Sequence, residues 1–111
     1  MAIYFKTANP NKLLAAYKKA IDDGHVITWS YDADGDFTHT AEQWNKRAWL
    51  RPKVQEGTAL ALYILKPRES SLSSTIYAIY HGRFVETMLR HCDQLFSEAR
   101  ATSLPEGSDL V

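Results

Sequence analysis

The sequence predicts an α+β fold, on three observations. Two stretches read as strand pairs closed by glycine turns, at Ala33-Asp34-Gly35 and at Gln55-Glu56-Gly57. One helix is punctuated at both ends, by Asn9-Pro10 and by Gly24. Residues 72–99 carry apolar side chains at helical spacing. Together these give β-α-β-β-β-α: a four-stranded, mainly antiparallel sheet with two helices packed on one face.

Residues 2–6 open the sheet, with Ile3 and Phe5 alternating against Tyr4 and Lys6. Asn9 is a good N-cap and Pro10 suits the first helical position. Leu13, Leu14, Tyr17, Ala20 and Ile21 form the apolar stripe of that helix, and Gly24 stops it. Asp22 and Asp23 stand at the wrong end of the helix dipole; Lys18 and Lys19, four residues earlier, offset them.

His25 to Asp32 reads as the second strand, with Ile27, Trp29 and Tyr31 on one face and Thr28 and Ser30 on the other. A three-residue loop, 33–35, sets Asp32 against Asp36, Tyr31 against Phe37 and Trp29 against His39. The apolar faces then agree, whereas a two-residue loop would oppose Tyr31 to Thr38. The short return arm is not counted among the four strands. Thr40-Ala41-Glu42-Gln43 has capping-box spacing and predicts one helical turn near 41–45.

Arg47 to Val54 is the next strand, with Pro52 marking an edge or bulge. Thr58 to Lys66 is apolar on both faces and therefore central. A loop at 55–57 pairs Val54 with Thr58, Pro52 with Leu60, Leu50 with Leu62 and Ala48 with Ile64, an apolar face. The other face sets Lys53 across from Ala59, Arg51 from Ala61, Trp49 from Tyr63 and Arg47 from Leu65. Serines in the polar stretch 67–71 can cap the last helix. Residues 1–104 form the single domain and 105–111 a loose tail.

Composition narrows the function classes. The chain is 45% hydrophobic and 12% aromatic, which excludes a disordered chain. No apolar run approaches the ~20 residues of a membrane helix, so no membrane partner is expected. Met-Ala-Ile-Tyr-Phe-Lys lacks the pattern of a signal peptide. Cys92 is the sole cysteine, so a reducing, cytoplasmic setting is expected. Net charge is zero, but residues 20–45 hold six acids and no Lys or Arg, and 46–53 hold four bases and no acid. An acidic pole and a basic patch are one outcome; interleaving in the fold is the commoner one.

Four groups of residues are candidate sites. Tyr4, Trp49 and Tyr63, with Arg47, Arg51 and Lys53, make an aromatic-basic sheet face suited to a partner. Trp, Tyr and Arg are the usual anchors of protein interfaces. Rings for stacking and cations for phosphates also suit single-stranded nucleic acid. The bland reading is a cross-strand pair that stabilises the sheet. Second, Asp32-Ala33-Asp34-Gly35-Asp36 resembles the opening of a calcium loop. Phe37 stands where the loop needs Gly and Gln43 where it needs Glu, so a solvated turn is expected and no metal is assigned. Third, the four histidines share no ligand spacing, and Cys92 reads as a buried, inert thiol.

The fourth is the last helix. Straight, residues 72–99 would span roughly 42 Å, against a radius of gyration of roughly 13 Å for a domain of this size. The helix must overhang or bend, most cheaply at Gly82. Its stripe, Tyr77, Tyr80, Phe84, Met88 and Leu95, exceeds what a two-layer monomer readily covers, and a homodimer interface is expected there.

No catalytic residue and no cofactor is assigned. The expected function is a small non-enzymatic module acting through a protein partner. A nucleic-acid-binding domain is one alternative. A small enzyme using Tyr80, His81, Arg83 and Glu86 beside Gly82 is the other. The order of elements resembles that of double-stranded RNA-binding domains, whose motif residues are absent here, so the likeness is one of order alone.

Overall fold

The computed structural model describes residues 2–68 and 70–104. Its strands are β1 (Ala2–Lys6), β2 (Trp29–Tyr31), β3 (Phe37–His39), β4 (Trp49–Gln55), β5 (Ala59–Leu65) and β6 (Glu98–Ala101). Helix α1 is Pro10–Asp22 and helix α2 is Ser74–Cys92, followed by a 3-10 turn, Asp93–Leu95. All six strands join one antiparallel sheet in the order β2-β3-β4-β5-β1-β6. The α+β class and the antiparallel sheet with two helices agree with expectation; the count of four strands does not. The likeness to double-stranded RNA-binding domains rested on the shorter element order and lapses with it. The expected tail, 105–111, lies outside the described residues.

One extra strand is the return arm 37–39. The other, 98–101, is a larger correction, because the last helix was expected to run on to Ala99. Glu98-Ala99-Arg100-Ala101 contains good helix formers. The helix nevertheless ends at Cys92 and the chain turns back along β1, pairing Lys6 with Glu98 and Ile3 with Ala101. Phe96 anchors the turn, its ring 5.1 Å from that of Phe5. Ser97 donates its N–H to the Lys6 carbonyl. An unpaired β1 edge would otherwise leave a row of backbone groups without partners, and that outweighs local propensity. The 19 residues of α2 span about 28 Å, so no overhang or bend arises. A Cβ at Gly82 would meet nothing within 4 Å, so packing does not require glycine there.

Helix α1 follows its expected limits. Gly24, at φ +80°, closes a Schellman motif: Gly24 N–H donates to Ile21 O and His25 N–H to Ala20 O. Lys19 pairs with Asp23 at 2.7 Å. Lys18 instead lies over the Tyr31 ring, and Asp22 accepts the Tyr31 hydroxyl at 2.7 Å. The second strand is shorter than expected, and Ile27 falls outside it, 77% exposed. Its hairpin register, Trp29–His39 to Tyr31–Phe37, matches the three-residue loop.

The β4–β5 hairpin is displaced by two residues. Gln55 pairs with Ala59, so the loop is Glu56-Gly57-Thr58, with Gly57 at φ +72°. Both the N–H and the hydroxyl of Thr58 donate to Gln55 O, at 3.0 Å each, which pulls Thr58 into the turn. A two-residue slip leaves every side chain on its expected face but changes its neighbour. Tyr63 therefore opposes Arg51, and Trp49 opposes Leu65. Strand β3 reaches β4 only at Phe37–Leu50, so β4 is a sheet edge from Pro52 onward, where proline is tolerated.

The helix-side face of the sheet builds the core from Ile3, Phe5, Trp29, Phe37, Leu50, Leu60, Leu62 and Ile64. Phe84 sits at its centre, its ring 5.0–6.0 Å from those of Trp29, Tyr17, Phe37 and Phe5. Residues 41–47 make a turn, with Asn45 N–H donating to Ala41 O, but the capping box does not form: the Thr40 hydroxyl donates to Ile27 O. Tyr80 holds this turn against α2 by donating to Trp44 O and meeting the Thr38 hydroxyl at 2.9 Å.

Candidate functional site

The sheet face away from the helices carries the residues expected to bind a partner. Strands alternate, so Ala2, Tyr4 and Lys6 of β1, Ala59, Ala61 and Tyr63 of β5, and Arg51 and Lys53 of β4 share it. Strand β6 adds Glu98 beside Lys6 and Arg100 beside Tyr4. Alanines on the central strand leave the middle of the face low, and long side chains from its neighbours lean over them. A cleft of about 250 Å³ results, lined by Tyr4, Lys6, Gln55, Thr58, Ala59, Glu98 and Arg100.

The rings lie under cations rather than open to solvent. Tyr63 is only 5% exposed. The Tyr4 ring meets it edge-on at 6.3 Å, and Lys53 lies 5.9 Å from its centroid. Arg100 covers the Tyr4 ring at 4.3 Å, a close cation–π contact. Tyr63, Ala2 and Ala61 thus form a second, small apolar cluster with Tyr4 packed against it.

Arg51 differs from expectation in its role. It forms a bidentate pair with Asp36, Nε to Oδ1 at 2.9 Å and a terminal nitrogen to Oδ2 at 2.8 Å. The hydrogen bond to Asp36, then the charge of its carboxylate, raise the pKa of the guanidinium. This contact also joins the acidic stretch to the basic one, so the charge runs interleave. Trp49, half-buried, and exposed Arg47 lie beyond Arg51 at the far end of the hairpin, apart from Tyr63. Arg100 and Glu98 were not expected on this face because β6 was not expected, whereas Lys6 was legible from the alternation that puts it beside Tyr4 on β1. The alternation Glu-Ala-Arg-Ala was the available signal.

The apolar stripe expected at an oligomer interface is covered by the chain itself. Tyr77, Tyr80, Phe84 and Met88 are 0–5% exposed, and Leu95 is half-buried against the same core. The six-stranded sheet, wider than the four strands assumed, supplies the missing cover.

The set around Gly82 does not converge. Tyr80 and His81 are buried and bonded, while Arg83 and Glu86 are exposed. His81 stacks on Tyr77 at 4.5 Å and donates Nδ1–H to Tyr77 O at 2.7 Å. His39 packs on Trp29 and accepts the Ala41 N–H through Nδ1 at 3.1 Å. Burial, then Arg83, lower its pKa, against a smaller opposing effect of Glu86. Cys92 is buried, and burial and Asp93 raise its thiol above the ordinary range, unlike a poised nucleophile.

Asp32, Asp34 and Asp36 have carboxylate oxygens within 4.8 Å of one another, the one cluster among the described residues with metal-site spacing. Three of its oxygens already have structural work. Asp32 Oδ1 accepts the N–H groups of Asp34 and Asp36, and Arg51 holds both oxygens of Asp36.

Comparison with protein-family models, with curated proteins and with solved structures finds no match to this chain. No helix among the described residues is long and apolar enough to cross a membrane.

Proposed function

We propose that this chain is a non-enzymatic interaction module that engages a protein partner through the sheet face opposite its helices. The carrying observation is the contrast between the two faces. The helix side is closed by a core, whereas the other face presents Lys6 and Arg100 on a cleft that one acid, Glu98, also lines, with Lys53 over Tyr63 on the same face. The rings of Tyr63 and Tyr4 lie beneath Lys53 and Arg100. An acidic protein surface is the complement that such an array selects.

Single-stranded nucleic acid is the less favoured occupant. Base stacking needs an open ring face, and here Tyr63 is buried and Arg100 covers Tyr4. The enzyme reading has less support, since the groups near Gly82 do not meet.

The test is capture from host extract on immobilised wild type, Lys53→Glu, Arg100→Glu and an α1 control, Lys12→Glu. A protein retained by wild type and by the control, and lost from both face variants, is the expected result. Equal retention on all four rejects the face. Retention of oligonucleotides that falls steeply with salt would favour the nucleic-acid alternative.

A further inference from the structure

Strand β6 ends the sheet, and among the described residues no strand pairs with its outer side. Its four side chains are exposed, and it contains neither proline nor lysine, two common protections of an edge. We propose that this edge pairs with the same edge of a second copy, across a two-fold axis at Ala99, to give one continuous antiparallel sheet.

Backbone geometry restricts the centre to Ala99 or Ala101, and only Ala99 pairs Glu98 with Arg100. Thr102 donates its N–H to Ala2 O at 2.9 Å, continuing the register that sets Tyr4 opposite Arg100. Antiparallel pairs alternate between hydrogen-bonded and non-hydrogen-bonded positions. The even residues of β6 therefore direct their backbone groups to β1, and Ala99 and Ala101 direct theirs outward. A two-fold pairing centred on Ala99 makes Ala99 a hydrogen-bonded pair with its own copy. Glu98 then faces Arg100 of the second copy, twice, in the closer non-hydrogen-bonded positions, where side chains interact most.

The neighbouring registers fail on charge. Centring on Glu98 opposes two carboxylates, and centring on Arg100 opposes two guanidinium groups. With the axis at Ala99, Glu98 is flanked by Lys6 of its own chain and Arg100 of the other. The axis is perpendicular to the sheet, so both helical layers lie on one side and the two open faces adjoin on the other. The pairing does not depend on what the open face binds.

Sedimentation across the micromolar range tests it, with wild type and three variants whose folding is verified by circular dichroism. Wild type is expected to dimerise as concentration rises. Glu98→Arg and Arg100→Glu each turn two attractive pairs into two repulsive ones, and each should weaken the dimer at least about tenfold. Mixed together, the two variants are complementary and should associate again. Ala99→Pro removes an N–H that β1 does not use, so the fold should survive while the dimer is lost. Wild type that stays at the mass of one 12.6 kDa chain overturns the proposal. So does a dimer indifferent to the charge variants, or a mixture no stronger than its components.

Discussion

Truncating Arg51 should destabilise the fold more than truncating Asp36, although the two share one ion pair. The asymmetry comes from burial. The Asp36 side chain is 5% exposed and that of Arg51 50% exposed. Arg51→Ala strands a nearly buried carboxylate close to Asp32 and Asp34, while Asp36→Ala leaves a guanidinium that water can solvate. Exposed ion pairs contribute about 1 kcal/mol or less, and breaking a fully buried pair costs about 3–5 kcal/mol. With one partner buried and one half in water, Arg51→Ala should cost about 2 kcal/mol and Asp36→Ala about 1 kcal/mol. The larger loss lowers the melting temperature by roughly 10 °C in a domain of this size. The double variant should cost little more than Asp36→Ala alone, a coupling of about 1.5 kcal/mol. Arg51→Lys keeps the charge but loses the two-pronged geometry, and should fall between wild type and Arg51→Ala. Urea unfolding at neutral pH, followed by tryptophan fluorescence, measures all four. Equal single losses, or additive ones, would refute the argument from burial.

Three further outcomes follow from the same geometry. Gly82→Ala should raise stability by about 0.5–1 kcal/mol, since the position is helical and its Cβ meets open space; a loss in thermal unfolding would show a close approach that the structure lacks. Tyr80→Phe removes the hydroxyl that joins Thr38 to Trp44 O, and should cost about 1–2 kcal/mol, with faster amide exchange confined to residues 41–48. His39 is buried with its pKa below the ordinary value, so the unfolded chain binds the extra proton as pH falls through the unfolded pKa. Stability should therefore decline on acidification from neutral pH until the folded pKa is passed. His39→Gln should flatten that part of the profile in urea midpoints taken at several pH values.

Local signals located most of the elements. Pro10 at the first helical position and Gly24 in the closing turn need no tertiary partner, and α1 begins and ends where they place it, although the Asn9 side chain makes no cap hydrogen bond. The 33–35 loop was legible because only one register matches the apolar faces of Trp29 and Phe37. The same argument could not fix the 55–57 loop, because a slip of two preserves both faces; Thr58 decides it with two hydrogen bonds to Gln55 O. Strand β6 was illegible for a different reason. Its residues favour a helix, and the demand that draws them into a strand comes from β1, more than 90 positions earlier. That one omission also produced the overlong helix and hid Arg100 from the candidate face.

The covered rings change what the open face can contribute to binding. If Tyr4 and Tyr63 were exposed, a partner would be held chiefly by apolar burial and stacking, and salt would matter little. Instead the rings support Lys53 and Arg100 from beneath, so the outermost groups of the face are charged. Charges at a surface act first on encounter, and salt screens them with a length of about 8 Å at physiological ionic strength. Removing Lys53 should then slow association more than it speeds dissociation. Removing Tyr4 should do both, because Arg100 loses the ring that positions it. Stopped-flow association with the captured partner, at two salt concentrations, separates these roles. A Tyr4→Ala variant with an unchanged association rate would mean that the ring holds the sheet together and leaves Arg100 where it was.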